Sequence, residues 1–184
     1  LGRNPNAVRN LTRELRDLPD EIRLTLELKQ QIRKLAPKVK DFKTWFYLGR
    51  GDLYPVALEG ALKLTEVSYV HAQAFPTGEM KHGPIALVDQ NHISVVLLPE
   101  DKLLYEKGLS AIEELRARGG NILTISTRPK PEFSNYHLEI AHSGDYTDGL
   151  VMNVCLQLLA LDIATLRGLN VDKPRNLAKS VTVE

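Results

Sequence analysis

Glu59, Lys63 and Glu66 form a charged stripe on a segment that is otherwise mostly apolar. The three residues are spaced i, i+4 and i+7, so at about 100° per residue they share roughly 60° of one helix face. Carboxylates and an amine on an apolar wall lose hydration, which moves their pKa values toward neutrality, where proton transfer is efficient. The alternative is a solvated salt bridge between Glu59 and Lys63, and the spacing alone does not choose between the two.

The sequence around the stripe predicts an α/β fold. Apolar runs predict strands over 44–48, 72–75, 93–98, 121–126 and 136–141. Helical patterns follow over 55–66, 103–118 and 150–167, after two leading helices that begin at Asn4-Pro5 and at Pro19. This alternation predicts a three-layer, doubly wound α/β/α domain with a mainly parallel sheet of about five strands. We expect a leading helical segment over 1–40, an α/β core over 41–168 and an irregular tail over 169–184.

Composition argues against several classes of protein. The net charge of +1 gives no electrostatic basis for binding nucleic acid. The single cysteine, Cys155, lies in an apolar helix and is expected to be buried and inert, which fits the reducing cytoplasm. No apolar run approaches 18 residues, so no contact with a membrane is expected. The chain begins with Leu1 rather than Met, which is consistent with a piece of a longer protein.

Other candidate motifs are ambiguous when they are taken alone. The histidines at 71, 82, 92, 137 and 142 show no metal-binding spacing, so we predict no metal site. The Gly49–Asp52 loop could cradle a phosphate at a helix N-terminus, but it lacks Ser and Thr, and we expect it not to hold one. His82, before the rigid Gly83-Pro84 turn, is more often structural than catalytic in such a place. Lys179 in the tail is typical of a mobile, solvated lysine.

Three separated segments carry a family resemblance. The segments Gly49–Glu66, Gly78–Pro84 and Asp172–Glu184 resemble, in this order, the sugar-isomerase (SIS) half of the glutamine–fructose-6-phosphate aminotransferase family, also called glucosamine-6-phosphate synthases. The resemblance covers essentially this whole chain, but only part of the family's protein. It implies the second SIS unit of an isomerase domain that converts fructose 6-phosphate and glutamine-derived ammonia to glucosamine 6-phosphate. A preceding SIS unit and an N-terminal glutaminase domain are then missing from this chain.

The resemblance also implies catalytic roles. Lys179 would form an imine with the open-chain sugar, and Glu66 would move a proton between C1 and C2. Lys63 would assist proton transfer near the C2 oxygen. His82 would open the sugar ring from the neighbouring subunit, so a homodimer is implied. Amine, carboxylate and imidazole suffice for this chemistry, so we expect neither a metal nor an organic cofactor.

Substrate-binding roles follow from the same resemblance. The backbone of Ala178 would line the site, and Arg175 with Asn176 would pin the tail. Glu59 completes the set of candidate substrate-binding residues.

Two other classes remain open. One is a phosphosugar-binding SIS module without catalysis, which predicts a serine-rich phosphate loop and no need for a terminal lysine. The other is a related phosphosugar isomerase or deglycase that uses the same stripe and lacks a glutaminase domain at full length.

Overall fold

The structure, a computed structural model, describes residues 4–177 of the chain. The helices and strands of this range are α1 Pro5–Leu26, α2 Lys29–Val39, β1 Thr44–Gly49, α3 Leu53–Ser68, β2 Ala72–Pro76, β3 His92–Leu97, α4 Lys102–Arg116, β4 Asn121–Ser126, β5 Tyr136–Glu139 and α5 Asp148–Leu166. Two 3₁₀ turns, Glu79–His82 and Pro84–Leu87, connect β2 to β3. The predicted bounds of every strand, and of the helices that follow β1, are right to within two residues.

The strands form one sheet in the order β2-β1-β3-β4-β5, and all the neighbouring pairs are parallel. Trp45 on β1 pairs with Ala72 on β2 on one side and with Ile93 on β3 on the other. The predicted five-stranded, mainly parallel sheet is therefore confirmed. The direction in which strands are added reverses between β1 and β3, so a crevice opens at the carboxyl edge of the sheet, where ligands usually bind in this topology.

Helices cover both faces of the sheet. Trp45 and Tyr47 on β1 pack with residues of α2, α3 and α5, whereas Phe46 and Leu48 pack with residues of α4. Successive residues of a strand alternate between the two faces, so β1 contributes to both cores. All four side chains are at most 1% exposed. The predicted three-layer α/β/α arrangement is confirmed.

The leading helices differ from the prediction. Asn4 caps α1 as expected, since its side chain accepts hydrogen bonds from the N–H groups of Asn6 and Ala7. The prediction that a second helix begins at Pro19 is wrong, because α1 continues through Pro19 to Leu26. A proline inside a helix costs about 3 kcal/mol. Contacts of α1 with α5 offset that cost, and the chain breaks instead at residues 27–28.

The helix α5 corrects the expectation that no apolar segment approaches the length of a membrane span. It is the one helix of the described residues that is long and apolar enough, by length and composition, to cross a membrane. In this fold it packs against α2 and α3, and its buried residues include Leu156, Leu159 and Ile163. Core packing on several sides therefore explains its apolar composition. Cys155 on this helix is fully buried, and burial raises the pKa of its thiol to about 12, as expected for an inert cysteine.

Candidate active site

The charged stripe of Glu59, Lys63 and Glu66 lies on α3, and the fold holds this helix by its opposite face. Ala57, Ala61 and Leu64 are buried in the core that α3 shares with the sheet and α5. Gly60 permits close packing, because a Cβ atom there would lie 2.5 Å from Cδ1 of Leu156 on α5. Ala57, Gly60 and Ala61 thus allow the inner face of α3 to pack closely against its neighbours, and the stripe lies on the outer side.

Lys63 links the stripe into a three-residue network. Its Nζ lies 2.7 Å from Oε2 of Glu66 and 3.6 Å from Oε1 of Glu59. The predicted ion pair with Glu59 is therefore present, but the pair with Glu66 is the closer of the two. The side chains are about one-third exposed, at 38%, 32% and 28% for Glu59, Lys63 and Glu66, so a ligand can reach them from the solvent side.

The protonation of Lys63 differs from the expectation. The hydrogen bond to Glu66 raises the pKa of Lys63 above the ordinary value of a lysine, and this effect outweighs the lowering caused by burial. The expectation that the pKa of this amine moves toward neutrality is wrong, because the carboxylates stabilise the charged form. Lys63 is thus an ammonium group at neutral pH, suited to donating a hydrogen bond to an oxygen that gains negative charge.

The tail packs beside the stripe. Residues 169–177 contain no helix, and a turn over Asn170–Lys173 forms because Oδ1 of Asn170 accepts hydrogen bonds from the N–H groups of residues 172 and 173. Val171 and Asp172 line a cleft of about 270 Å³ together with Lys63. Further along, residues 175–177 line a cleft of about 420 Å³ together with Glu66. The fold therefore brings the described tail to the half of α3 that carries Lys63 and Glu66.

Arg175 is the tail residue that contacts α3 most specifically. Its backbone N–H donates a hydrogen bond of 2.7 Å to the hydroxyl of Tyr69, the residue that follows α3. Its guanidinium also lies over the Tyr69 ring, 4.2 Å from the ring centre. The expectation that Arg175 pins the tail agrees with these contacts. Two predicted site residues of the tail, Ala178 and Lys179, lie outside the described residues.

Tyr69 was missed by sequence reasoning. The pattern of α3 ends at Ser68 without a glycine, and nothing local marks the next tyrosine as special. Its partner Arg175 is 106 residues away in the chain. The one available signal is its position directly after the striped helix, three residues beyond Glu66.

The 3₁₀ turn that carries His82 packs on the face of the sheet opposite to α3. Met80, in the same 3₁₀ turn, is buried in the core that contains α4 residues. Nζ of Lys81 lies 2.6 Å from Oε1 of Glu114 on α4. His82 itself is exposed. The α3 residues belong to the core on the opposite face, so the turn that carries His82 and the helix that carries the stripe pack on different faces of the sheet.

A cleft of about 660 Å³ lies at the switch point between β1 and β3. Its charged lining consists of one arginine and five acidic residues: Arg50, Asp52, Glu100, Asp101, Asp145 and Asp148. A surplus of carboxylates repels a phosphate group. This lining agrees with the prediction that the Gly49–Asp52 loop does not hold the sugar phosphate.

His142 and Asp148 form a pair at the edge of this cleft. Nδ1 of His142 lies 2.8 Å from Oδ2 of Asp148, whose other oxygen accepts hydrogen bonds from the N–H groups of Ser143 and Gly144. Burial lowers the pKa of His142, but the hydrogen bond and the charge of Asp148 outweigh it, so the pKa is raised overall. The pair therefore ties the β5–α5 loop to the N-terminus of α5.

Two further histidines have structural roles. His92 is fully buried, its Nε2 lies 2.7 Å from the hydroxyl of Ser94, and burial lowers its pKa to about 4. His137 contacts the hydroxyl of Thr124 and the carbonyl of Arg128. Within residues 4–177, no three His, Cys, Asp or Glu side chains are placed to hold a metal ion. The absence of a metal and of a cofactor stays a prediction.

Comparisons with known proteins identify the family of this chain. A model of the SIS domain matches residues 38–167. The chain is 47% identical over 178 residues to glutamine–fructose-6-phosphate aminotransferase (isomerizing) of Thermus thermophilus, and 46% identical over 175 residues to that of Chlorobaculum tepidum. These matches cover 95% and 94% of this chain, but only 29% and 28% of the two relatives. The chain therefore spans under a third of the length of these proteins.

Solved structures agree on the fold. The C-terminal domain of glucosamine-fructose-6-phosphate aminotransferase from Francisella tularensis matches with a TM-score of 0.85 and 36% identity, over 92% of this chain and 48% of that domain. A tagatose-6-phosphate ketose/aldose isomerase from Escherichia coli shares the fold, with a TM-score of 0.71 at 23% identity, over 83% of this chain and 44% of that one. The chain belongs to the SIS domain family, and it matches about half of the C-terminal domain of the Francisella tularensis aminotransferase.

Proposed function

We propose that this chain is the second SIS unit of a glucosamine-6-phosphate synthase, which makes glucosamine 6-phosphate and glutamate from fructose 6-phosphate and glutamine. The observation that carries the proposal is the course of the tail. Leu177 and Glu66 line the same cleft, and Lys179 is only two residues further along the sequence. Two residues reach at most about 7 Å, so the amine of Lys179 has the reach to meet a sugar held beside Glu66.

The proposed roles follow from the chemistry of these groups. The amine of Lys179 attacks the C2 carbonyl of the open-chain sugar, and water leaves as the imine forms. Ammonia from the glutaminase domain then displaces the lysine. Glu66 takes a proton from C1 and returns it to C2, which completes the ketose-to-aldose step. Lys63, as an ammonium group, stabilises the negative charge that develops on the C2 oxygen while the amine of Lys179 adds to the carbonyl, before this oxygen leaves as water. Glu59 holds Lys63 from the other side.

The arrangement requires parts that lie outside this chain. The turn that carries His82 packs Met80 into the core on the α4 face, whereas α3, which carries Glu66, packs into the core on the other face. A ring-opening imidazole beside Glu66 therefore comes most directly from a second copy of the chain. We therefore propose a homodimer that works in the cytoplasm. The acidic cleft at the β1/β3 switch point favours a phosphate site elsewhere, on the preceding SIS unit of the same polypeptide. The backbone of Ala178 completes the proposed sugar site.

The test is imine trapping in the full-length polypeptide. Borohydride adds hydride to the imine carbon and fixes the sugar on the lysine as a secondary amine. With fructose 6-phosphate, we expect Lys179→Ala to abolish trapping, whereas Glu59→Ala leaves it intact. Lys173→Ala is the matched control, since Lys173 is an exposed lysine of the same tail. If the Lys179 variant still traps sugar, another lysine forms the imine and the proposal is wrong.

A further inference from the structure

Tyr69 has a backbone conformation that is unusual for a tyrosine. It follows the last residue of α3 with φ 57 and ψ 21, in the left-handed region, while its N–H donates to the carbonyl of Thr65 at 3.1 Å. Glycine is the residue most often found at such a helix end, because a side chain adds strain there. Strained positions of this kind persist where the surroundings hold them, and they cluster at functional sites.

The side chain of Tyr69 makes contacts that helix capping does not need. Its hydroxyl accepts the backbone N–H of Arg175 at 2.7 Å, and its ring carries the guanidinium of Arg175 at 4.2 Å. One contact fixes the backbone of the tail, and the other fixes the side chain of the same residue. A glycine in this place would cap α3 but would leave the tail without both contacts.

Tyr69 also lies close to Glu66, the proposed proton-transfer residue. It lies three residues after Glu66 in the sequence. Both line the cleft of about 420 Å³ that residues 175–177 close from the other side. The point at which Tyr69 holds Arg175 therefore sets where the tail passes Glu66, four residues before Lys179 in the sequence.

We propose that Tyr69 is a positioning residue that anchors the tail at Arg175 and thereby sets the approach of Lys179 to the sugar beside Glu66. This inference rests on the proposed function, because it assigns Tyr69 a part in forming the imine. Tyr69 itself does not touch the reacting atoms. Its effect falls on the step that Lys179 performs and not on the binding of the phosphate group, which we place on another unit.

The experiment compares two variants of the full-length polypeptide. Tyr69→Phe keeps the ring over the guanidinium and loses the hydroxyl acceptor, so we expect kcat and the rate of borohydride trapping to fall about five-fold. Tyr69→Gly suits the left-handed backbone but removes both contacts, so we expect a fall of about twenty-fold. In both variants, KM for fructose 6-phosphate should stay within about two-fold of the wild-type value. The matched control is Tyr54→Phe, which changes a half-buried tyrosine at the other end of α3.

The outcomes separate this inference from the proposed function. Wild-type kcat and trapping rates in both Tyr69 variants, with trapping abolished by Lys179→Ala, overturn only the role of Tyr69. Undiminished trapping in Lys179→Ala overturns the proposed function and this inference together. A merely structural role predicts a lower unfolding temperature and fewer active molecules, with a normal trapping rate in each folded one. That result also overturns the inference.

Discussion

Replacing Lys63 by methionine decides whether the charged stripe is a surface salt bridge or part of the catalytic apparatus. Methionine keeps the length of the side chain and removes its charge. The substitution breaks two ion pairs on one helix, at 2.7 Å and 3.6 Å. Partly exposed pairs of this kind contribute about 0.2–0.5 kcal/mol each. We therefore expect the free energy of unfolding to fall by less than about 1 kcal/mol, which lowers the unfolding temperature by about 2–4 °C at most.

The expected loss of activity is much larger. If the ammonium group of Lys63 stabilises charge in the transition state, its removal should lower kcat on the order of 100-fold, as for other preorganised donors. That factor corresponds to about 2.7 kcal/mol, which exceeds the loss of stability severalfold. The two quantities are measured by thermal unfolding of this chain and by steady-state kinetics of the full-length polypeptide.

Lys40→Met is the matched control for this experiment. Lys40 pairs with Asp41 at 2.9 Å, and its side chain is 31% exposed, against 32% for Lys63. We expect a similar small change in stability and no change in kcat. If Lys63→Met also leaves kcat within about two-fold of wild type, the charged stripe is an ordinary salt bridge and the reasoning is refuted.

Three further predictions concern pH, subunit exchange and the isolated chain. The pKa of His142 is raised in the fold, so its pair with Asp148 should stabilise the chain fully below about pH 6.5 and lose this contribution as pH rises through the folded pKa. Urea unfolding at several pH values should show this slope, and Asp148→Asn should remove it. Inactive His82→Ala and Glu66→Gln subunits, unfolded and refolded together, should regain about a quarter of wild-type activity if His82 crosses between subunits. No recovery would place His82 in its own site. The isolated chain should form no glucosamine 6-phosphate from fructose 6-phosphate and ammonia, and robust formation would contradict the need for a separate phosphate site.

Local patterns in the sequence predict most of the elements. The charged stripe and the buried strands follow from spacings within a few residues, and those spacings are fixed by helix and strand geometry. The helix start at Pro19 was wrong because the penalty of a proline is limited and tertiary contacts outweigh it. The packing of α1 on α5 joins distant parts of the chain, so the local pattern around Pro19 contains no sign of it.

The site depends on contacts that no local pattern contains. The pKa of Lys63 is raised because its ammonium group lies 2.7 Å from a carboxylate oxygen of Glu66. The spacing of the stripe alone does not determine which carboxylate lies closer. The contact between Tyr69 and Arg175 joins residues 106 positions apart. The position of His82 on the α4 face follows from how the turn packs Met80 into the core. These features can be determined only from the three-dimensional structure.

The most direct test is a structure of the complete subunit with the sugar phosphate bound. The account predicts that Nζ of Lys179 lies within bonding distance of C2, with a carboxylate oxygen of Glu66 close to C1 and C2. It also predicts that His82 of a second subunit faces the ring oxygen. A sugar that occupies this cleft while the tail after Leu177 leads away from it would contradict the account.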